Sequence, residues 1–536
     1  MRRKLLGSLL NPLVSGGAGL ALILAAMGGA AQAETLADAV GAAYATNPSL
    51  GAERARQRTY DEDYVQARAT FGPTLGLTGQ MSDSLKHIDD KDRGPYKDKN
   101  DTREWSLRLD QSLYNGGRSG AAVNAARAQI LAGREYLRLV ESQLVYDVVS
   151  AYSAVLRDQD RVKVSRENLA ALQAELTEAR ARFDVRQVTL TDVAQSEGRL
   201  FGAQAQLASY QAQLAISAGQ FTRVVGHAPG QLEPVPALLE MPATLEEAFE
   251  AAEAANPELG RAKYAEQVSR ARVEQAKGAL RPTVTANVQY GYGDISAYND
   301  PRSSSAAARR NVTRTEQSLD SLSANVVVRI PLFQGGSLTS AVRQSVAQNG
   351  VDDMTIELTR RTALQNVVQA WNQLYAARSG LAAFEAQARV FLLAYEGVRR
   401  EEPFGLRSRI EVLNAEQELQ SAQLQLVNAR YDEYVARAAL LAATGRLTAE
   451  SIDPKANAYQ PDLYLRSVQR KGALPWTSLL QGIDSIGLKP VTKPAPSDLT
   501  DLRPAAGPMG LPLLPAPTAA QASAPLASIA IRTAKP

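Results

Sequence analysis

Two kinds of hydrophobic spacing divide this chain. From Thr74 to Met81 apolar and polar residues alternate, with Leu75, Leu77 and Met81 on one face and Thr74, Thr78 and Gln80 on the other. Trp105, Leu107 and Leu109 then alternate with Ser106, Arg108 and Asp110. Further along, Val284, Ala286, Val288, Tyr290 and Tyr292 alternate with Thr283, Thr285, Asn287 and Gln289, and "LSANVVVRI" repeats the pattern. A period of two predicts strands, here two hairpins. Elsewhere the period is seven. Val193, Leu200, Leu207, Leu214 and Phe221 fall on one line, as do Val412, Leu419, Leu426, Glu433 and Leu440, with Ala415, Ala422, Ala429 and Ala436 beside them. A strict heptad with small partners predicts close-packed, supercoiling helices. Gly117 to Val185 and Gly336 to Phe404 are both 68 steps, so each uninterrupted helix would reach about 100 Å.

The two patterns belong to one repeated unit. "TLADAVGAAYATNPSL" from Thr35 recurs as "TLEEAFEAAEAANPEL" from Thr244, an offset of 209. From the Gly116-Gly117 and Gly335-Gly336 pairs onward the offset is 219, as far as Gly226 and Gly445. The ten extra residues fall in the polar stretch between the strands of the second hairpin. Both such stretches are expected to be loops at an exposed tip.

The hairpins alone fit a half-buried soluble sheet about as well as a membrane wall. Their length favours the wall, because runs of roughly 9 to 11 residues with one apolar face and aromatic ends suit a transmembrane barrel. Four strands cannot close a barrel, and an open edge is not tolerated in lipid, so the chain is expected to share its barrel with copies of itself. Gly116, Gly117, Gly335 and Gly336 sit where strand geometry must become helix geometry, a change that residues without Cβ accommodate. Pro73 and Pro282 mark the reverse change on the other edge of each hairpin.

Composition narrows the function. The first 33 residues, with "MRRK", an apolar core and "AQA" before Glu34, read as a cleaved signal peptide. Without Arg2, Arg3 and Lys4, the 59 basic residues become 56, equal to the 56 acidic ones, which gives no support to a nucleic-acid partner. There is no cysteine, hence no disulfide, thiolate site or lipidated N-terminal Cys, and only His87 and His227 could supply imidazole. A catalytic triad or histidine metal site is therefore not expected, nor is a cofactor.

The Asn-Pro segments, the "LYNGG" and "LFQGG" turns, and the reversal segments "RFDVRQVTLTDVAQ" and "FGLRSRIEVLNAEQELQ" together resemble the TolC family of outer-membrane efflux and secretion channels, over Glu34 to Thr448. The resemblance implies a mixed α and β membrane protein: a trimeric 12-stranded outer-membrane β-barrel, four strands per chain, continuous with a 12-helix periplasmic α-barrel ringed by an equatorial collar. It also implies a periplasmic adaptor docked on the tunnel tips and an inner-membrane pump, either an ABC transporter or a proton-driven one. The docking tips would be Val185, Arg186 and Gln187 on one hairpin and Phe404, Gly405 and Leu406 on the other, with Arg186 standing where the family usually has glycine. Arg407 matches the arginine that holds the closed tip, Thr191 and Asp192 match its partners on an adjacent hairpin, and Glu411 matches one acidic pore position. Glu402 stands in place of a tyrosine and Asn414 in place of a second acid.

The expected organisation is a signal peptide (1–33), a first repeat (34–226), a linker at the collar (227–243), a second repeat (244–448), a return segment to the collar (449–480) and a proline-rich disordered tail (481–536). Half of the 26 prolines lie beyond Ile452. The function expected is a passive, non-enzymatic exit channel for type I protein secretion. Drug efflux through the same fold, or a pore-free coiled-coil adaptor, are the alternatives.

Overall fold

The computed structural model describes residues 33–91, 94–236, 241–301, 313–453 and 459–494. The expected signal peptide, apart from Ala33, and everything after residue 494 lie outside the described residues.

Each repeat begins with two short helices joined at an Asn-Pro corner. In the first, α1 (Leu36–Thr46) meets α2 (Pro48–Ala69), and in the second α5 (Leu245–Ala255) meets α6 (Pro257–Gly278). Asn47 ends one helix and caps the next, because its side-chain oxygen accepts from the N–H groups of Ser49 and Leu50 while Pro48 needs no donor partner at the first helical position. Its side-chain amide donates to Val224 O, at the end of α4 (Leu190–Val225). Asn256 does the same toward Ala443 O, at the end of α8 (Arg409–Ala443). One side chain thus satisfies the orphan groups of two helix ends at each corner.

From each corner the chain runs into a hairpin: β1 (Thr74–Asp90) with β2 (Gly94–Tyr114), and β3 (Thr283–Pro301) with β4 (Thr313–Arg329). They form a single antiparallel sheet in the order β1-β2-β3-β4. Its register lines up Leu75, Leu109, Val288 and Ala324 in one row and Leu77, Leu107, Tyr290 and Leu322 in the next. Trp105 lies opposite Gly79, with its ring over the place where a Cβ would stand. Val284 to Tyr292 alone extends this apolar face about 27 Å along the strand. The other face carries polar residues such as Asn287 and Asn325, joined by a 2.9 Å hydrogen bond.

The strands are longer than expected, at 17, 21, 19 and 17 residues. The polar stretches read as tip loops are largely strand: His87 still pairs with Lys97, and Tyr298 with Arg314. Backbone ladders do not need apolar side chains, so where both faces are wet the period-two signal vanishes while the strand continues.

The strands give way to long helices, α3 (Arg118–Asp184) and α7 (Ser337–Glu401). Gly116 and Gly117 take φ of +68° and +86°, and Gly335 and Gly336 +56° and +79°. Pro73 and Pro282 immediately precede β1 and β3. α4 and α8 return from the far tips, and the heptad residues Val193, Leu200, Phe221, Val412, Leu419, Leu426 and Leu440 are buried along them. Glu433, on the same line, is buried too, and it accepts from Arg378 Nε at 3.1 Å and Arg437 Nε at 2.5 Å. A charge in this position is tolerated because it is paired twice.

Two clusters fill the waist. One gathers Leu36, Val148, Tyr152, Phe221 and Leu441, and the other Phe249, Val367, Trp371 and Leu374. Here Glu34 pairs with the linker, its N–H donating to Gln231 O and its carbonyl accepting from Glu233 N–H. By contrast, Val346, Val351, Met354 and Leu358 are exposed on the half of α7 that follows β4, the last strand of the sheet.

The C-terminal segment departs from the expected boundaries. Beyond α9 (Ala449–Ile452), α10 (Asp462–Val468) packs along α2, where Tyr464 donates to Glu62 at 2.6 Å. Next, α11 (Thr477–Asp484) crosses the boundary placed at residue 480 and lies against the strand-to-helix corner. The segment therefore climbs from the waist to the barrel. Asp484, buried, accepts from the N–H groups of Asn115 and Gly117 at 2.9 Å and of Gly120 at 3.0 Å, supplying the cap that glycine cannot give α3. Thr492 is bonded in both directions to Gln267, so the packed chain runs well past residue 481.

Candidate functional site

The far ends of the long helices form two reversal tips built to one plan, 219 residues apart. In the first, Arg186 has φ +59°, the one positive φ at a non-glycine among the described residues. Its N–H donates to Phe183 O and that of Gln187 to Arg182 O, closing the end of α3. In the second, Gly405 has φ +74°, with matching bonds from Gly405 to Glu402 O and from Leu406 to Glu401 O. Arg186 holds a left-handed conformation that costs an ordinary residue about 1–2 kcal/mol. Val185, Arg186 and Gln187 are exposed, as are Phe404, Gly405 and Leu406.

Each return helix then opens with a capping box. Thr189 and Asp192 bond reciprocally at the start of α4, and Ser408 and Glu411 at the start of α8. Asp192 is held below the ordinary carboxyl range chiefly by the Thr189 N–H, and Glu411 by the Ser408 N–H. Two of the carboxylates singled out in the sequence thus start helices, with one oxygen committed to the backbone.

Arg407 lies in the second tip between two acids of its own hairpin, 2.9 Å from Glu401 and 3.1 Å from Glu411. Within one chain it is not joined to Thr191 or Asp192. Thr191 is exposed on the first turn of α4. Glu402 and Asn414 are tied across to the other hairpin: Glu402 accepts from Arg182 at 2.8 Å, and Asn414 accepts from Arg199 at 2.7 Å.

Sequence reading missed the residues that do this tying. Arg199 also donates to Leu413 O, and Arg409 to Glu175 O, so arginines from both hairpins clasp backbone and side chain on the other. Below them Glu175 of α3 and Glu416 of α8 each keep a buried carboxyl oxygen without a hydrogen-bond partner, and burial raises both carboxyls, Glu416 to about 8 with the neighbouring Glu175 adding to the shift. Two carboxyls buried as neighbours do not both ionise readily, so one of them keeps a proton. Polar residues on long helices look solvated until the partner helix is known, and only Glu433, standing in an apolar heptad, marked itself in advance.

A family model described as "Outer membrane efflux protein" matches residues 39–227 and 248–446, the two repeats. The chain is 32% identical to the outer membrane efflux protein BepC of Brucella suis, covering 83% of this chain and 92% of that one. It is 26% identical to the alkaline protease secretion protein AprF of Pseudomonas aeruginosa, over 65% and 71% of the two chains. The Campylobacter jejuni CmeC outer membrane channel shares the fold with a TM-score of 0.65 at 13% identity, over 81% and 89%. Both repeats, and a sheet with two unpaired edges, are thereby explained together: the chain belongs to the outer membrane efflux protein family, three copies of it closing a twelve-stranded barrel in the outer membrane that continues as a twelve-helix tunnel in the periplasm.

Proposed function

We propose that this channel is the exit duct for type I protein secretion, conducting its cargo passively from an inner-membrane ABC pump through a periplasmic adaptor. The observation that carries the cargo class is the likeness to AprF, a protein named for protease secretion. The 32% identity to BepC, named for efflux, favours drug efflux as the second reading, with a proton-driven pump. The adaptor would dock on the two exposed tips, where Phe404 and Leu406 offer apolar side chains and Arg186 a cationic one on a left-handed backbone.

The same tips would form the gate. Arg407 is held by acids of its own hairpin at the surface, and an exposed pair four residues apart contributes little because solvent screens it. It can therefore exchange them for Thr191 and Asp192 of the adjacent copy when the trimer closes. Asp192 retains acceptor capacity beyond its capping bonds.

Deletion of the gene followed by complementation tests both readings. Loss of a secreted protein with unchanged tolerance of dyes and detergents is expected, and the reverse pattern would replace secretion by efflux. Complementation with Arg407→Ala should restore export while admitting large antibiotics, and unchanged antibiotic exclusion would place the gate elsewhere.

A further inference from the structure

The segment that climbs to the barrel leaves one face uncovered where strands become helices. The inner side of α11 is committed: Leu480 buries against Phe71 and Val123, and Asp484 holds the N–H groups of Asn115, Gly117 and Gly120. Asn115 directly follows β2, Gly117 caps α3 and Gly120 lies in its first turn, so the helix is pinned at the level where barrel meets tunnel. Its other side carries Trp476, Leu479, Ile483 and Ile486, which are 47%, 62%, 43% and 73% exposed. Leu479 and Ile483, four apart, share one face of α11, with Trp476 at its N-cap and Ile486 just past its end continuing the apolar line.

The exposed charges of this segment are of one sign. From Gln469 to Pro494 the chain holds Arg470, Lys471, Lys489 and Lys493, and its single acid is Asp484, which is turned inward. The apolar face of the sheet starts at the same level, where Tyr114 pairs with Val284 and Val284 with Val328. A short amphipathic helix with a tryptophan, basic flanks and a lipid-facing wall adjoining it has the features of an interfacial helix.

We propose that α11 is a membrane-surface anchor on the periplasmic leaflet of the outer membrane. The Trp476, Leu479, Ile483 and Ile486 stripe lies at the boundary of headgroups and acyl chains, with the four basic residues against anionic phospholipid headgroups. Repeated around the trimer, the helix sets the height of the duct in the membrane and covers the corner where α3 begins.

Because the chain has no cysteine, Ile483→Cys and Ile486→Cys each give a single labelling site in the full-length trimer. With an environment-sensitive fluorophore attached and the trimer reconstituted in phosphatidylethanolamine–phosphatidylglycerol vesicles, nitroxide lipids labelled near the headgroup should quench emission at least twofold. A label at Gln173→Cys, exposed on α3 far from the barrel, should instead respond to an aqueous nickel chelate. Ile486 lies beyond the last residue of α11, so its variant serves if Ile483→Cys fails to assemble. Quenching of the α11 labels by the aqueous agent alone, or by neither agent as when protein covers them, would overturn the assignment.

Discussion

Glu416 shows how a single carboxyl can tie tunnel stability to pH. Burial, and then the neighbouring Glu175, raise it from 4.5 to about 8, against the opposing pull of Arg399 and Arg199. The folded state therefore binds this proton more tightly than the unfolded chain does. The resulting stability is full below about pH 4.5 and is lost as pH rises through about 8. Glu416→Gln keeps a donor facing Glu175 and cannot ionise. Thermal melts of the purified trimer should show the wild-type midpoint falling by a few degrees between pH 6 and pH 9, while the variant's stays level. Equal slopes would mean that the pair carries no shared proton. None of this was legible in the sequence, where Glu175 and Glu416 are two more acids on polar helices. Desolvation comes from the packing of α3 on α8 and has no local signature.

Glycines that look alike in the sequence divide once the elements are assembled. Gly445 has φ +72° at the end of α8, and a Cβ there would stand 2.4 Å from Ala255 O, in the Asn256 corner. Gly472 has nearly the same φ, +71°, with no atom within 4 Å of that place. Alanine at Gly472 should cost about 1–2 kcal/mol from backbone strain alone. At Gly445 the same change must also push the corner apart, so Gly445→Ala is expected to lose several degrees more in thermal melts and to reduce trimer yield. Similar losses at the two sites would show that the corner yields. The repeat made Gly226 and Gly445 visible as a pair, and the Asn-Pro segments as another. That each pair closes on the other, through Asn47 to Val224 and Asn256 to Ala443, required the fold.

At the scale of the whole molecule the C-terminal segment tests where the wall ends. A chain stopped after Pro494 keeps α10, α11, the Asp484 cap and the Thr492 bonds to Gln267, and it should assemble as well as the full chain. One stopped after Lys471 leaves three N–H groups at the start of α3 without their acceptor, and trimers resistant to heating in detergent should become scarce. If the shorter chain assembled normally, the strand-to-helix corner would need no clamp. The sequence by itself determined the repeat, the strand and helix periods, the helix lengths and the need for further copies. These follow from side-chain spacing, which is set by backbone geometry and written along the chain. Only the tertiary structure decided how far the strands run past the apolar band, which acids meet which arginines at the tips, and that a proline-rich segment returns to cap α3. These depend on groups hundreds of residues apart: Asp484 and Gly117 are brought together by the packing of Leu480 on Phe71 and Val123, and no pattern near either residue records the other.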